Sequence, residues 1–325
     1  MVGNPFGVQV NETTMKYLDA TINQPSKCGK ETLFLMAVIS SPINFQQRKS
    51  IRKLWRRPTQ VFGSGGTLLF FLGKTTSTKV QFRIEKESAK NKDIVQFDIM
   101  DDYTKLTTKS INMMHWFTVY CRDARWYVKS ADDVFWNIPV LNSLLSAGNQ
   151  HRLVEKLSKS NFKLFEKKVH YCNHYLVENP YERSPEIKSE RRASDHGNQS
   201  LINNNAEIIC AKTQGTRVCR YEDRDSCDPR SVMTKYEYPY DEYPRHCRGS
   251  GYVLRSHVVE ELVKKDALIR TSRRLRMEDV YVTGILTQGA GFIELDMANL
   301  TTTTRSCRHD GRRPTRASRT VVRRK

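Results

Sequence analysis

The chain has 325 residues, of which 38% are hydrophobic and 27% are charged, a balance that suits a globular protein and argues against a wholly disordered one. No apolar run approaches the ~20 residues that span a bilayer, and residues 1–14 lack the basic and apolar regions of a signal peptide. The formal net charge of +19 admits a polyanionic partner, but residues 305–325 alone hold eight Arg and one Lys against one Asp.

The first predicted elements alternate between strand and helix. Residues 1–30 are polar and irregular, as in a stem or linker. Leu33–Ser40 is a continuous apolar run, which predicts a strand buried on both faces. Asn44–Trp55 has helical spacing of its apolar residues, and Thr67–Gly73 predicts a second buried strand that ends at a glycine.

The alternation continues as far as residue 129. Gln81–Lys92 predicts a polar helix and Asp93–Asp98 a third strand. Leu106–Cys121 is rich in apolar and aromatic residues at helical spacing, which predicts a core helix, and Arg125–Lys129 predicts a fourth strand. Buried strands that alternate with helices predict an α/β sandwich with a mostly parallel central sheet.

Ligands of such sheets bind outside the carboxyl ends of the strands. In this chain the rule selects Ser40–Ser41, Asp98–Asp102 and Ser130–Asp133.

The second half of the chain is less regular. Residues 148–230 are polar and predict a divergent insertion with little core of its own. Tyr236–Tyr243 is aromatic and rich in turn residues, and Gly249–Leu254 leads into a predicted helix over Ser256–Ala267. Met277–Thr287 begins with carboxylates and continues apolar. The basic segment 301–325 predicts a disordered tail.

Cysteines and glycosylation sequons favour an oxidising compartment. The chain has eight Cys, and none is spaced as in a zinc site, so a disulfide framework of unknown pairing is predicted. Three N-x-S/T triplets begin at Asn11, Asn198 and Asn299. Together these features favour a secretory protein.

Two acidic pairs are candidates for chemistry. Asp132 and Asp133 follow a buried strand, where carboxylates can hold Mg²⁺ or Mn²⁺ on a diphosphate, although the pair could equally form a solvated turn. Glu278 and Asp279 precede an apolar helix, where a carboxylate can act as a general base or can simply interact with the helix dipole.

A basic pair and a glycine pair are weaker candidates. Arg48 and Arg52 share a helix face close to the end of the first long strand, where their guanidiniums suit phosphate or simply form a solvated basic face. Gly249 and Gly251 allow the backbone to approach a ligand closely, or make a turn, and they do not form a dinucleotide-binding motif.

These segments, in their order, resemble the motifs of the β-1,3-galactosyltransferase family, glycosyltransferase family 31. The matching segments span roughly residues 28–295 and are NFQQRKSIRKLW, LLFFLGK, DIVQFDIMDDYTKLTTKS, RWYVKSADDVFWN, YPRHCRGSGYVL and LRMEDVYVTG. The likeness is thin in residues 148–230 and absent from the tail. Leu54 and Lys105 stand where the family usually has Thr and Asn.

The resemblance implies a GT-A-like, Rossmann-type glycosyltransferase domain over residues 31–300. It implies an inverting hexosyltransferase that moves galactose or an N-acetylhexosamine from a UDP-sugar to the 3-hydroxyl of an acceptor glycan on a glycoprotein or glycolipid. It also implies a Golgi type II membrane protein, whose N-terminal anchor we expect to be missing from this chain. No nucleic-acid partner is expected.

The resemblance also implies roles for individual residues. Asp133, with Asp132 adjacent, would bind Mn²⁺ or Mg²⁺, and Asp279 would be the general base. The implied donor-binding residues are Ser40, Arg48, Arg52, Lys109, Asp132 and Tyr252. Trp136, Gly251 and Glu278 are candidates for the acceptor or sugar site.

One departure from the family pattern keeps a second function open. Ala131 replaces the first Asp of the family's D-D-D triplet, which removes a hydrogen-bond acceptor near the donor. A catalytically weak or inactive glycan-binding pseudoenzyme of the same fold is therefore an alternative. A third reading, polyanion binding through the basic tail, predicts binding that falls steeply with salt and is lost when residues 305–325 are deleted.

Overall fold

A computed structural model of the protein describes residues 20–55, 65–136, 141–142, 144–145, 206–213, 215–269, 274–296 and 301–303. Across these ranges, no helix has the length and apolarity needed to cross a bilayer. The predicted stem (1–30) falls partly, and the basic tail (301–325) mostly, outside the described residues.

Strands and helices follow each other much as the apolar pattern predicts. The strands are β1 (Ala20–Ile22), β2 (Phe34–Ile39), β3 (Gly66–Lys74), β4 (Ile94–Met100), β5 (Trp126–Ala131), β6 (Val134–Trp136), β7 (Ile208–Thr213), β8 (His246–Arg255), β9 (Glu294–Asp296) and β10 (Thr301–Thr303). The helices are α1 (Phe45–Trp55), α2 (Thr78–Asn91), α3 (Leu106–Tyr120), α4 (Ser256–Ile269) and α5 (Glu278–Val280), which continues as a π-helical turn over Tyr281–Ile285.

The central sheet confirms the predicted α/β class. Its eight strands lie in the order β1-β4-β3-β2-β5-β8-β7-β9. Strands β4, β3, β2 and β5 run parallel to one another, whereas β1 is antiparallel to β4 and β8 is antiparallel to both β5 and β7. The sheet is therefore mostly parallel at its centre, as predicted.

Strand β2 shows why a continuous apolar run was needed. Leu35 and Ala37 point into a core shared with α3, α4 and α5, whereas Met36 and Val38 point into a second core with α1 and α2. Because successive side chains of a strand face opposite sides, a strand with helices on both faces must be apolar at every position.

Strand β7 differs from the sequence prediction. Ile208–Thr213 lies inside the stretch 148–230 that was predicted to be a polar insertion, yet the strand pairs with β8 and the side chains of Ile208, Ile209 and Cys210 are buried. The segment after it, 215–245, contains two short 3-10 helices, Tyr221–Ser226 and Pro229–Ser231, and is otherwise irregular. Residues 146–205 lie outside the described residues, so the insertion stays a prediction there.

Disulfides are present, as the cysteine count predicts. Three bonds join six of the eight Cys, namely Cys28–Cys121, Cys210–Cys247 and Cys219–Cys227. The remaining two, Cys172 and Cys307, lie outside the described residues.

Candidate active site

Several polar side chains gather at one edge of the sheet. The parallel strands β2, β4 and β5 all end at this edge, and β8 begins there because it runs antiparallel to β5. Helix α5 contacts β8, which brings Glu278 and Asp279 to the strand next to the Asp132–Asp133 turn. The topology thus draws together segments that are about 150 residues apart in the chain.

Asp132 is held in place by residues that follow β2. Its Oδ2 accepts hydrogen bonds from the hydroxyl of Ser40, at 2.6 Å, and from the Nδ2 of Asn44, at 2.9 Å. Burial raises the pKa of Asp132, while these two donors oppose the rise. Asp133 is only partly buried, and no hydrogen bond to its carboxylate occurs within the described residues.

Lys109 joins the ends of β2 and β4 from beneath this turn. Its Nζ donates to the carbonyl of Ser40 and to Oδ2 of Asp101, both at 2.7 Å. Asp101 also accepts from the amide of Gly73, at 2.8 Å. Burial lowers the pKa of Lys109 although Asp101 favours the charged form. Lys109 therefore braces the site from inside.

Arg48 does not present its guanidinium at this edge. Its side chain is 0% exposed, and its five N–H groups are used by Glu87, by the hydroxyl of Ser40 and by the carbonyls of Ser41 and Pro42. No N–H of Arg48 is left over for a phosphate in this structure.

Arg52 is likewise bound to acidic partners. Its Nε and Nη2 make two parallel hydrogen bonds of 2.8 Å to Asp93, and its Nη1 bonds Glu87. Arg48 and Arg52, the arginines predicted to bind the donor, therefore both bind acidic side chains of the protein itself.

Glu278 is the buried member of the second acidic pair. It is 3% exposed, and its Oε2 accepts from the Nζ of Lys129 at 2.8 Å while its Oε1 accepts from the hydroxyl of Tyr252 at 2.6 Å. Tyr252 is itself 0% exposed. Glu278 and Tyr252, which the resemblance places in the sugar and donor sites, thus bond to each other inside the protein.

Asp279 is the more accessible member. It is only partly buried, and its Oδ1 accepts from the backbone amide of Val280 at 3.0 Å. Burial and then the charge of Glu278 raise its pKa, whereas the charges of His246 and Lys129 and the amide of Val280 oppose the rise. A carboxylate with a raised pKa is suited to accept a proton.

Arg230 and Tyr103 contact each other near the two acidic pairs, Asp132–Asp133 and Glu278–Asp279. The guanidinium of Arg230 lies 5.1 Å from the centroid of the Tyr103 ring, which is 42% exposed. A hydrogen bond to Asp228 is the main cause that raises the pKa of Arg230, and the charge of Asp133 adds to it. Asp279 is among the groups that raise the pKa of Tyr103, after burial. The charge of Asp133 thus acts on Arg230 and that of Asp279 acts on Tyr103, and these two side chains contact each other.

Trp136 packs against Gly251 and belongs to the core that α1 and α2 cover. Trp136 is 4% exposed, and its Nε1 donates to the hydroxyl of Ser130 at 2.9 Å. A Cβ at Gly251 would overlap the Trp136 ring and lie 2.8 Å from the carbonyl oxygen of Lys129. In this structure the indole fills the space above Gly251.

Sequence reasoning missed several residues of the site. Asn44 lies in the motif NFQQRKSIRKLW and Lys129 in RWYVKSADDVFWN, so their positions in these motifs could have identified them as candidate site residues. Tyr103 also lies in a motif, whereas Arg230 lies in the stretch where no motif is present, and only the tertiary structure reveals it. Over the described ranges, no three His, Cys, Asp or Glu side chains converge as a ready-made metal site.

Comparisons with known proteins find one family and a set of relatives. The family model for galactosyltransferases matches residues 46–186 and 196–297. β-1,3-Galactosyltransferase 1 of Mus musculus is 27% identical over 281 residues, which cover 86% of this chain and 67% of that protein. β-1,3-Galactosyltransferase 2 of Homo sapiens is 26% identical over 275 residues, 84% of this chain and 50% of that protein.

A search of solved structures finds a mannosyltransferase, PcManGT from Pyrobaculum calidifontis, in complex with GDP-Man and Mn²⁺. It aligns with a TM-score of 0.33 and 8% identity over 89% of this chain and 61% of that chain, a likeness too distant to support an argument.

Proposed function

Since the chain belongs to the galactosyltransferase family, we propose that it transfers galactose or an N-acetylhexosamine from a UDP-sugar to the 3-hydroxyl of an acceptor glycan, with inversion at the anomeric carbon. The family match confirms the resemblance that the sequence motifs predict. One observation carries the proposal for the site: the Asp279 carboxylate lies against Gly249 of β8, and β8 pairs with β5 at Gly251 and Ser130, two residues before Asp132.

Asp279 is the general base of the proposed reaction. Glu278 cannot take this role as readily, because both of its carboxylate oxygens are bound inside the protein. Asp279 would remove the proton of the acceptor hydroxyl as that oxygen attacks the anomeric carbon from the face opposite the UDP. A single displacement of this kind turns an α-linked donor into a β-linked product.

Asp133 and Asp132 would hold the divalent cation, Mn²⁺ or Mg²⁺. Their hard oxygen atoms fit these metals, which proteins commonly bind through one or two carboxylates together with substrate phosphates. The bond pattern supports the fit: Oδ2 of Asp132 is occupied by Ser40 and Asn44, whereas Asp133 carries no hydrogen bond within the described ranges. When bound, the cation would neutralise the diphosphate of the donor.

Ser40 and Lys109 support the donor side from within. Lys109 fixes the carbonyl of Ser40, and the hydroxyl of Ser40 fixes Asp132, so the two residues set the position of the turn that would face the diphosphate. Arg48 adds a 3.1 Å bond to the same hydroxyl. We therefore assign Arg48 an indirect role, through Ser40, in place of direct contact with a phosphate.

Ala131 keeps the pseudoenzyme alternative in view. Its methyl group lies at the end of β5, partly buried against both cores. A carboxylate at this position would extend the acidic turn by one group, and its absence would weaken donor binding. On this alternative the protein binds glycans without turnover, and Ala131→Asp would create or strengthen activity.

We propose that the protein acts on glycoproteins or glycolipids in the Golgi, the setting that the resemblance of its motifs implies. The three disulfides within the described residues fit an oxidising lumen.

Hydrolysis and transfer assays with UDP-galactose, UDP-N-acetylglucosamine and UDP-N-acetylgalactosamine in the presence of Mn²⁺ test the proposal. We expect turnover of at least one donor, loss of turnover in Asp279→Asn, and a rise in melting temperature with UDP and Mn²⁺ that Asp133→Asn removes. Absence of both turnover and thermal shift for every donor would refute the enzyme assignment. A shift with glycans but without turnover would favour the pseudoenzyme.

A further inference from the structure

We propose that Lys129 is a positioning residue that fixes the Asp279 carboxylate by holding both Glu278 and the backbone of Gly249. Neither the sequence motifs nor the family match assigns it a role. The inference rests on the proposed function, because it concerns the residue assigned as base. Lys129 is 2% exposed and lies on β5, the strand that leads into the Asp132–Asp133 turn, and its side chain reaches the start of the helix that carries Asp279.

The first contact acts through the chain neighbour of Asp279. Lys129 bonds Oε2 of Glu278 at 2.8 Å, and Tyr252 bonds Oε1 of the same carboxylate at 2.6 Å. With both oxygens held, the Glu278 side chain has one orientation. Because Glu278 and Asp279 are consecutive at the start of α5, this anchor also sets where the backbone of Asp279 lies.

The second contact acts through the surface on which the Asp279 side chain rests. The Nζ of Lys129 donates to the carbonyl oxygen of Gly249 at 2.9 Å. A Cβ built on Gly249 would lie 2.9 Å from Oδ2 and 3.3 Å from Cγ of Asp279, so the carboxylate passes directly over this glycine. The ammonium group of Lys129 therefore holds both Gly249, on which the Asp279 carboxylate rests, and Glu278, which precedes Asp279 in the chain.

Charge gives Lys129 a further effect on the same carboxylate. Glu278 is a buried anion next to Asp279, and its countercharge is Lys129. The other titratable groups that face Asp279 are His246 on β8 and the hydroxyls of Tyr103, Tyr243 and Tyr252. Within the described residues, none of these groups makes a hydrogen bond to Asp279. Lys129, in contrast, bonds the Glu278 carboxylate and the Gly249 carbonyl, the two groups next to Asp279.

Lys129→Met tests the proposal, because methionine has an unbranched side chain only one atom shorter than that of lysine and lacks the ammonium. We expect kcat to fall about 100-fold, as a displaced reacting group can cause, with little change in the KM for the UDP-sugar. We also expect the acid limb of the kcat/KM profile to move to higher pH, since the countercharge of Glu278 is lost. Lys264→Met, at an exposed lysine of α4, is the matched control and should leave both parameters unchanged.

A double variant separates positioning from stability. Lys129→Met with Glu278→Gln removes both charges of the buried pair, so the melting temperature should recover toward the wild-type value. The kcat should stay low, because the carbonyl of Gly249 still lacks its partner. If kcat recovers together with the melting temperature, Lys129 is merely structural and the proposal is overturned.

Crystal structures of the wild type and Lys129→Met supply a readout that needs no activity. The proposal expects the Asp279 carboxylate to leave its place above Gly249 in the variant, and an unmoved carboxylate would overturn it. If the wild-type protein turns over none of the three UDP-sugars, the proposed function fails, while the structural comparison still decides whether Lys129 positions Asp279.

Discussion

At the scale of single residues, burial separates two adjacent carboxylates into different tasks. Glu278 and Asp279 carry the same chemical group, yet Glu278 is bonded on both oxygens inside the protein and Asp279 is bonded on one, by a backbone amide. Burial and the neighbouring anion raise the pKa of Asp279. A base needs an accessible oxygen atom and a proton affinity suited to the reaction, and Asp279 has both.

Asp279→Asn should lower kcat by about 100-fold to 10,000-fold, the range that general base catalysis contributes. The amide keeps the shape of the side chain but cannot accept the proton of the acceptor hydroxyl. Steady-state transfer assays measure the loss, and the thermal shift with UDP and Mn²⁺ should persist because Asp133 is intact. A variant that retains wild-type kcat would remove Asp279 from the mechanism.

Gly251→Ala should destabilise the protein by about 1–3 kcal/mol, the usual cost of forcing extra atoms into a packed core. The added methyl would meet the ring of Trp136 and the carbonyl of Lys129. The free energy of unfolding in urea measures the change. Gly29→Ala is the matched control, because a Cβ there has nothing within 4 Å, and equal stabilities of the two variants would contradict the packing argument.

The arginines show what sequence spacing leaves open at this scale. Positions 48 and 52 share a helix face, as predicted, and a phosphate site was one of two readings of that face. Their actual partners, Glu87 and Asp93, are 35 to 41 residues away in the chain. A pairing at such a distance depends on the packing of α1 against α2, which no local pattern encodes.

At the scale of elements, Glu87 ties α1 to α2. Burial opposes its charge, but hydrogen bonds and charges from Arg48 and Arg52 outweigh burial and hold the pKa of Glu87 below its usual value of 4.5. The Glu87 side chain is 11% exposed and that of Arg48 is 0% exposed. The pair therefore lies largely out of water, where loss of one partner leaves the other uncompensated.

Glu87→Gln should cost about 3 kcal/mol at pH 7, because the buried Arg48 loses its countercharge. A carboxylate with a lowered folded pKa stabilises the protein above its unfolded pKa, and this contribution disappears as the pH falls through the folded value. The stability difference between wild type and variant should therefore shrink below about pH 4. Urea unfolding at several pH values measures it.

Glu261→Gln supplies the control for this prediction. Glu261 faces Lys265 one turn away on the exposed side of α4, at 3.7 Å. Such surface pairs contribute about 0.5 kcal/mol or less. An equal cost for the two variants would mean that burial does not strengthen the Glu87 cluster.

Elements differ in how far the sequence predicts them. Strands β2 and β3 are predicted close to their observed bounds, because helices cover both faces of the sheet and the buried stretch of each strand is apolar. Strand β5 is predicted from its first residues, although it also contains Lys129 and Ser130. Strand β7 escapes prediction because its six residues include Lys212 and Thr213, and it follows a long polar stretch. Its place between β8 and β9 comes from pairing with distant strands, which a short local pattern cannot specify.

At the scale of the whole molecule, the disulfides close loops of very different lengths. Cys28–Cys121 joins the segment after β1 to the end of α3 across 93 positions, whereas Cys219–Cys227 closes a loop of only 8. A crosslink restricts the unfolded chain more when the loop it closes is longer. The first bond should therefore matter more for stability.

Replacing Cys28 and Cys121 by Ser should destabilise the protein by about 4–5 kcal/mol, and replacing Cys219 and Cys227 by about 2–3 kcal/mol, according to the chain-entropy relation. Differential scanning calorimetry of the two double variants measures the difference. The reverse order of melting temperatures would show that strain or contacts in the folded protein outweigh the entropy of the unfolded chain.

The disulfide Cys210–Cys247 bears on how substrate specificity can change, because it lies at the base of the segment 215–245. It clasps β7 to β8 at the point where the irregular segment 215–245 leaves the sheet, and that segment brings Arg230 to the acidic edge. A loop anchored at its base can diverge without disturbing the strands beneath it. Chimaeric proteins joined at these two cysteines could therefore carry the corresponding loop of another family member while the strands of the sheet stay unchanged.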